Sequence, residues 1–349
     1  MEPATGGFHA RTALTGEGVE SMRKFILRRL ALGALIVFFG SLVVYTVIRC
    51  LPSSYVETIA RQRATLPGGR SYTEWLTQLN QVYGLDQGIL QGFFHWLGNA
   101  VRGEFGESWS FNLPVTQKFL NVIWYSVVVN LFTFVLEILI CIPLGILAAR
   151  KQYSRTDYFV TVFSLMGMSL PTFFLATILK FIFSVKLGWF DLYGIVGRYY
   201  EQLDTWGKLL DMARHMVLPV LTLGMLSVGG LMRYTRTSML EVLSSDYIRT
   251  ARAKGLSERV VINKHAFRNT LIPLISYMSY MLPDLFAGSM ITETLFQIPG
   301  IGYIAYQAMV AGDIPFTMFY LVFLILLTQV SLIMADILYA VVDPRVRVN

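Results

Sequence analysis

The apolar residues of this chain fall into six long runs, and the charged residues collect between them. The runs extend from about Leu30 to Ile48, Val122 to Ala149, Tyr158 to Val185, Met216 to Met232, Leu271 to Ile291 and Phe316 to Val342. A helix needs about 20 apolar residues, with a range of roughly 17–25, to cross a hydrocarbon core about 30 Å thick, so each run is long enough to be a transmembrane span. In the third run, Ser169-Leu170-Pro171 brings a proline whose missing N–H and bulky ring disturb the preceding turn, which predicts a kink. The sixth run stops at Asp343-Pro344-Arg345, where the proline bars further helix.

The segment between the first two runs has a different pattern. Tyr72, Trp75, Leu76, Leu79, Val82 and Tyr83 recur at helical spacing, and so do Ile89, Leu90, Phe93, Phe94, Leu97, Ala100 and Val101. Neither set is long or apolar enough to span, so both predict short amphipathic helices at the outer membrane face, with Trp75, Trp96 and Trp109 at headgroup depth. Residues 1–21 show no apolar periodicity and read as a disordered tail. Met22-Arg23-Lys24 then leads into a first span too long for the apolar region of a signal peptide and lacking a small-residue cleavage site. The organisation expected is a tail over 1–21, a first span over 22–49, an extracytoplasmic segment over 50–118 and a core over 119–349, with a cytoplasmic loop at 238–270.

Composition turns this set of helices into a membrane protein. Of the 349 residues, 54% are hydrophobic and 15% charged, against about a quarter charged in soluble domains. A net charge of +7 would suit a nucleic-acid partner, but the basic residues sit in short segments flanking the spans. That is the distribution required of cytoplasmic membrane loops. Arg150, Lys151 and Arg155 follow the second run, and the segment from Arg233 to Arg268 is the most basic of all, whereas Thr292 to Asp313 has no lysine or arginine. Both termini are therefore expected in the cytoplasm and the loop at 292–313 outside. Two cysteines, Cys50 and Cys141, make no disulfide framework.

The stretch from Ser244 to Pro273 is polar, yet it carries its own helical signals. Ser244, Ser245 and Asp246 offer capping oxygens, and Gly255 can take the left-handed conformation that ends a helix. Ser257 offers a cap to a second short helix. On the first helix Tyr247, Ile248, Ala251 and Gly255 share one narrow stripe, with Arg249 and Arg252 pointing away. A small apolar ridge ringed by positive charge suits a helix-in-groove contact with a cytoplasmic partner.

This stretch, reading Tyr247-Ile248-Arg249-Thr250-Ala251-Arg252-Ala253-Lys254-Gly255-Leu256, resembles the "EAA" coupling loop of ABC importer permeases, most of all in the dipeptide and oligopeptide branch. Arg249 and Thr250 fill the first two places of the Glu-Ala-Ala pattern, and Arg268 stands where its later proline would fall. The resemblance extends to Gly103-Glu104-Phe105-Gly106-Glu107-Ser108, to Glu293-Thr294-Leu295-Phe296 with Pro299-Gly300-Ile301-Gly302, and to Asp336-Ile337-Leu338-Tyr339-Ala340 with Asp343-Pro344-Arg345. It implies an all-α, six-span type I importer permease of the MetI-like fold in the cytoplasmic (inner) membrane. The implied function is ATP-driven import of di- and oligopeptides by alternating access. Nickel chelates, glutathione and sugars are the alternative cargoes. Implied partners are a paralogous permease chain, two ABC ATPase subunits that bind the ATP and Mg, and an extracytoplasmic substrate-binding protein. The residues expected to couple to the ATPase are Tyr247, Ile248, Ala251, Arg252, Gly255 and Leu256. Gly103, Phe105, Gly106, Ser108, Glu293, Pro299 and Gly300 form the outer motifs.

The chain lacks a phosphate-binding Gly-x-x-x-x-Gly-Lys-Ser/Thr loop, since its one Gly-Lys pair, Gly207-Lys208, is followed by Leu209. It is therefore expected to be a non-catalytic subunit holding no cofactor or metal. A charge at mid-bilayer costs several kcal/mol unless it meets water or a partner, so intramembrane carboxylates mark a pathway or a packed pair. Glu137 and Asp284 are candidates for the translocation pathway, with helix packing the other reading of each; Asp336 has the same two readings. Lys180 and Lys186, near a span end, are expected to snorkel. Two other functions fit less well. An ion-coupled transporter has no use for a docking helix, and an intramembrane protease built on Ser289 would need His215 or His265, both at span edges or in loops.

Overall fold

In a medium without water, backbone N–H and C=O groups must bond within the chain, and a helix achieves this inside a single segment. The computed structural model describes residues 16–50, 55–65, 71–82 and 85–342, and builds them almost wholly from helix. Helix α1 (Gly16–Arg49) is followed by a small lobe of α2 (Tyr55–Ala64), α3 (Tyr72–Val82) and α4 (Ile89–Ala100). A two-stranded hairpin, β1 (Glu107–Ser108) with β2 (Leu113–Pro114), then leads into α5 (Val115–Arg150). Next come α6 (Arg155–Ser169), α7 (Thr172–Leu179) extended by π-helical turns over Lys180–Lys186, and α8 (Thr205–Leu243). Short α9 (Asp246–Ala253) and α10 (Glu258–Val260) lead through a π-helical turn, Val261–Ala266, into α11 (Phe267–Phe296). The last elements are α12 (Ile301–Ala311) and α13 (Ile314–Val342).

Among the described residues, four helices are long and apolar enough to cross a membrane, within α1, α5, α8 and α13, and α6 with α7 makes a fifth if that bent pair counts as one span. The remaining run of the expected set, the fifth, is α11, 30 residues long. It is diluted by Pro273, Pro283, Asp284 and several serines and tyrosines. Other expectations shift. Helix α1 begins at Gly16, so residues 16–21 are helical rather than tail, while residues 1–15, Tyr83 and the Asp343-Pro344-Arg345 signature lie outside the described residues. The kink at Ser169-Leu170-Pro171 is a full break, with the two axes at 105°. Leu170 is extended (φ −91°, ψ 129°), the conformation a following proline favours. Helix α8 runs 39 residues, about 58 Å at 1.5 Å per residue, because the polar residues flanking its apolar run continue the helix. It starts where the Asp204 carboxylate accepts from the Gly207 N–H at 3.0 Å. The loop expected over 292–313 contains α12.

The centre of the bundle is α8, packed against α5, α6 and α11. Small residues let it approach α6 closely: a Cβ on Gly167 would collide with the Met225 carbonyl, and one on Gly229 with the Ser164 carbonyl. At the end of the same seam Arg236 donates twice to Asp157, at 2.5 and 2.8 Å. Helix α1 lies on α13, where Arg29 pairs with Asp336 at 3.1 Å, so Asp336 is a packed pair. The small lobe has its own core of Val56, Ala60, Leu79 and Trp109. Trp109 is only 8% exposed, so it belongs to that core rather than to a headgroup belt.

Replacing Gly229 by leucine should drive α6 off α8 at a cost of about 1–3 kcal/mol or more. The purified protein should lose thermal stability, whereas Gly98→Ala, at a position with no neighbour within 4 Å of an added Cβ, should not.

Candidate functional site

Helix α9 forms where the sequence placed it, but its ridge faces inward. Ile248 is 0% and Ala251 7% exposed. They pack with Ala149 at the end of α5, Met239 of α8, and Val261, Ile262 and Ala266 of the π-helical turn. Of the ridge expected to enter a partner's groove, Ile248 and Ala251 are thus covered by this chain itself, while Tyr247 and Gly255 are not. Tyr247 and Leu256 remain exposed, together with Arg249, Thr250, Arg252 and Lys254. The capping differs from expectation as well. Ser245 holds the N-cap position, but its hydroxyl donates to the Val242 carbonyl at 2.6 Å, and neither Ser245 nor Ser257 makes a side-chain cap bond. Gly255 does close the helix, with φ +76°, a conformation that costs other residues roughly 1 kcal/mol or more. Beyond it Arg252 clasps Glu258, Nη2 to Oε1 at 2.8 Å and Nε to Oε2 at 3.2 Å. The guanidinium hydrogen bonds hold the Glu258 carboxyl below its ordinary range. This exposed pair orients the turn more than it stabilises it.

At the end of α11 opposite α9 the motif residues converge on two buried carboxylates. Glu293 is 0% exposed; Ser126 of α5 donates to its Oε1 at 2.6 Å and the Tyr303 N–H to its Oε2 at 2.9 Å, while the Ile301 N–H donates to the Ser126 hydroxyl at 2.7 Å. A carboxylate at the positive N-terminus of α12 is well placed electrostatically, and it ties α11, α12 and α5 together. Gly300 is the N-cap of α12, and Pro299 precedes it. The second carboxylate, Asp313, accepts from the Ser108 hydroxyl at 2.5 Å, the Ser110 N–H at 3.0 Å and the Phe316 N–H at 3.2 Å. Gly103 and Gly106 turn the chain into the β1–β2 hairpin, and the Phe105 ring packs edge-on against Phe319, centroids 4.6 Å apart. Ser126 and Asp313 carry no signal in the sequence, because their partners lie 167 and 205 residues away.

The charged residues within the spans separate by environment. Glu137 is 0% exposed, at the α5 surface that meets α8 and α11, with the Ser227 side chain of α8 beside its carboxyl and no ion pair among the described residues. Asn130, two turns away on the same face, has no hydrogen-bond partner for its side-chain amide among the described residues. Asp284 is exposed on α11, with no ion pair or hydrogen bond among the described residues. Lys180 does not snorkel freely: its Nζ donates to the Leu295 carbonyl at 2.6 Å, near the end of α11, and lies 3.9 Å from the Tyr193 ring centroid. Ser289 donates to the Phe286 carbonyl, while His215 sits between Asp191 at 3.3 Å and Asp211 at 3.7 Å, so no nucleophile–base pair is built from them.

Residues 141–348 match the family of binding-protein-dependent transport system inner membrane components. The chain is similar to the oligopeptide transport system permease protein AppB of Bacillus subtilis (strain 168), 38% identical with 77% of this chain and 84% of that protein covered. It is also 34% identical to the di/tripeptide transport system permease protein DppB of Pseudomonas aeruginosa (strain UCBPP-PA14), covering 93% of this chain and 99% of that one. Among solved structures, an inward-facing conformation of the MetNI methionine ABC transporter has a chain that superimposes with a TM-score of 0.52 at 16% identity, over 65% of this chain and 97% of that chain. At this identity the likeness speaks to the fold.

Because Ile248 holds α9 to the body, Ile248→Ala should cost about 2–5 kcal/mol of local stability. Hydrogen exchange over residues 246–254 should rise, while Tyr247→Ala leaves it unchanged. Equal protection in Ile248→Ala and the parent would mean that the ridge does not anchor the helix.

Proposed function

This chain belongs to the family of binding-protein-dependent transport system inner membrane components, and from that premise we propose that it works with separate ATPase subunits to import peptides by alternating access. It is a multi-pass membrane permease subunit of an ABC peptide importer and has no ATP-hydrolysing role of its own. The observation that carries the proposed mechanism is the seating of α9. A helix clamped at once to the ends of α5 and α8 and to the π-helical turn that leads into α11 transmits displacement instead of absorbing it. The ATPase contact is the exposed face, with Tyr247 as the aromatic anchor, Arg252 and Leu256 beside it, and Ile248, Ala251 and Gly255 setting its position. This is the composition expected of an interface hot spot.

In this reading the complex holds a paralogous permease chain, two ATPase subunits and an extracytoplasmic binding protein that delivers the peptide. Both termini and α9 are cytoplasmic, and the α11–α12 corner is outside. ATP-driven closure of the ATPases moves α9 and the attached helices as rigid bodies, and hydrolysis returns them. Asp284 faces the pathway. Glu137 lies one layer behind and enters it when α5 and α11 part. The peptide cargo is supported by the names of the relatives, which transport oligopeptides and di/tripeptides.

Tyr247→Ala combined with Arg252→Glu should leave membrane insertion and the protection of α9 intact. Binding-protein-stimulated ATP hydrolysis and peptide uptake should fall together by about tenfold or more, the loss expected of a hot-spot truncation. Coupled uptake at the parental rate would remove α9 from the ATPase contact.

A further inference from the structure

Most of the helix surface left open within the spans is what lipid demands. On α1 from 32 to 47, α5 from 124 to 143 and α13 from 326 to 338, every exposed residue is apolar. Helix α11 breaks this rule. Its exposed residues between 280 and 291 are Tyr280, Asp284, Ala287 and Ile291, spaced four, three and four apart and therefore on one stripe. The stripe lies within the bilayer, since Phe286 packs against Phe323 of α13 with centroids 5.9 Å apart, and the Tyr320 hydroxyl donates to the Phe286 carbonyl at 3.3 Å. Residues 320–323 are six to nine positions into α13, about 9–14 Å from its start at 1.5 Å per residue.

A carboxylate at that depth is not left against acyl chains. It faces water, a ligand or a partner. The surroundings favour a cation: Tyr280 is 55% exposed one turn before Asp284, and Tyr277 on the neighbouring face stacks on Tyr234 of α8 with centroids 4.8 Å apart. Tyrosine faces and a carboxylate together form an ammonium-binding environment, and among the described residues no lysine or arginine of this chain neutralises it. Resting on the peptide-importer reading, we propose that Asp284 with Tyr280 is a binding site in the pathway for the α-ammonium group of the passing peptide. A peptide has this one cation whatever its side chains, so such a site accepts many sequences. Glu137 cannot play this part while it is sealed inside the bundle.

The test uses the assembled transporter in proteoliposomes with saturating binding protein and radiolabelled alanyl-alanine. Asp284→Asn should lower the uptake rate about tenfold, as expected for loss of a charge-assisted contact. Asp284→Glu should recover most of that rate, and both variants should hold the paired permease chain with the parent's thermal stability. Parental uptake by Asp284→Asn would overturn the proposal. So would dissociation or destabilisation of that variant complex, which would assign Asp284 to a salt bridge with the paired chain. No uptake by the parent would instead sink the peptide reading, and this inference with it.

Discussion

The burial of Ile248 and Ala251 is the contact on which the rest of the account depends. Eight residues of isolated helix are unstable in water, because nucleation is costly and few hydrogen bonds repay it. Helix α9 persists because full burial of a side chain such as Ile248 is worth about 1.5–3 kcal/mol, and because the surface that buries it belongs to the ends of two long helices, α5 and α8, and to the π-helical turn that leads into α11. Stability and function meet here. The same packing that keeps α9 folded fixes its exposed face relative to the spans, so force applied to Tyr247 or Arg252 reaches α5, α8 and α11 without a flexible joint.

The opposite end of α11 repeats this design with polar groups. Glu293 and Asp313 are buried carboxylates, costly if unpaired, and each has its oxygens occupied by serine hydroxyls and by N–H groups of a starting helix. They fasten the short helix α12 and the β1–β2 hairpin to the ends of α11, α13 and α5. Lys180 adds a hydrogen bond at the C-terminal end of α11, where the helix dipole favours a cation. With both ends held and the glycine seam of α6 and α8 between them, the bundle suits rigid-body rocking rather than bending.

The membrane character, the long helices and the stripe on α9 were legible in the sequence, because each is a periodicity or a composition. Which way the stripe faces was not. A helix with one apolar stripe looks the same whether its own chain or another covers it, and only packing shows that Ile248 is already occupied. Similarly, Glu137 and Asp284 are both lone carboxylates in apolar runs, yet the first is sealed between helices and the second lies open. Helix α2 was not legible because half of its residues from Tyr55 to Ala64 are polar or charged, and it is held by Val56 and Ala60 with Ile59 packed beside them. Ser126 and Asp313 were invisible because their roles depend on partners remote along the chain.

The central claim is that α9 moves with the spans as one body. Spin labels at Thr250 on α9 and Thr237 on α8, both exposed, would report the distance between them in the assembled transporter with and without bound ATP. The account predicts one distance in both states, within the roughly 1–2 Å of ordinary helix adjustment. A change of about 5 Å or more, comparable to the one-turn shifts seen when one element slides past another, would show that α9 swings on its own and would contradict it.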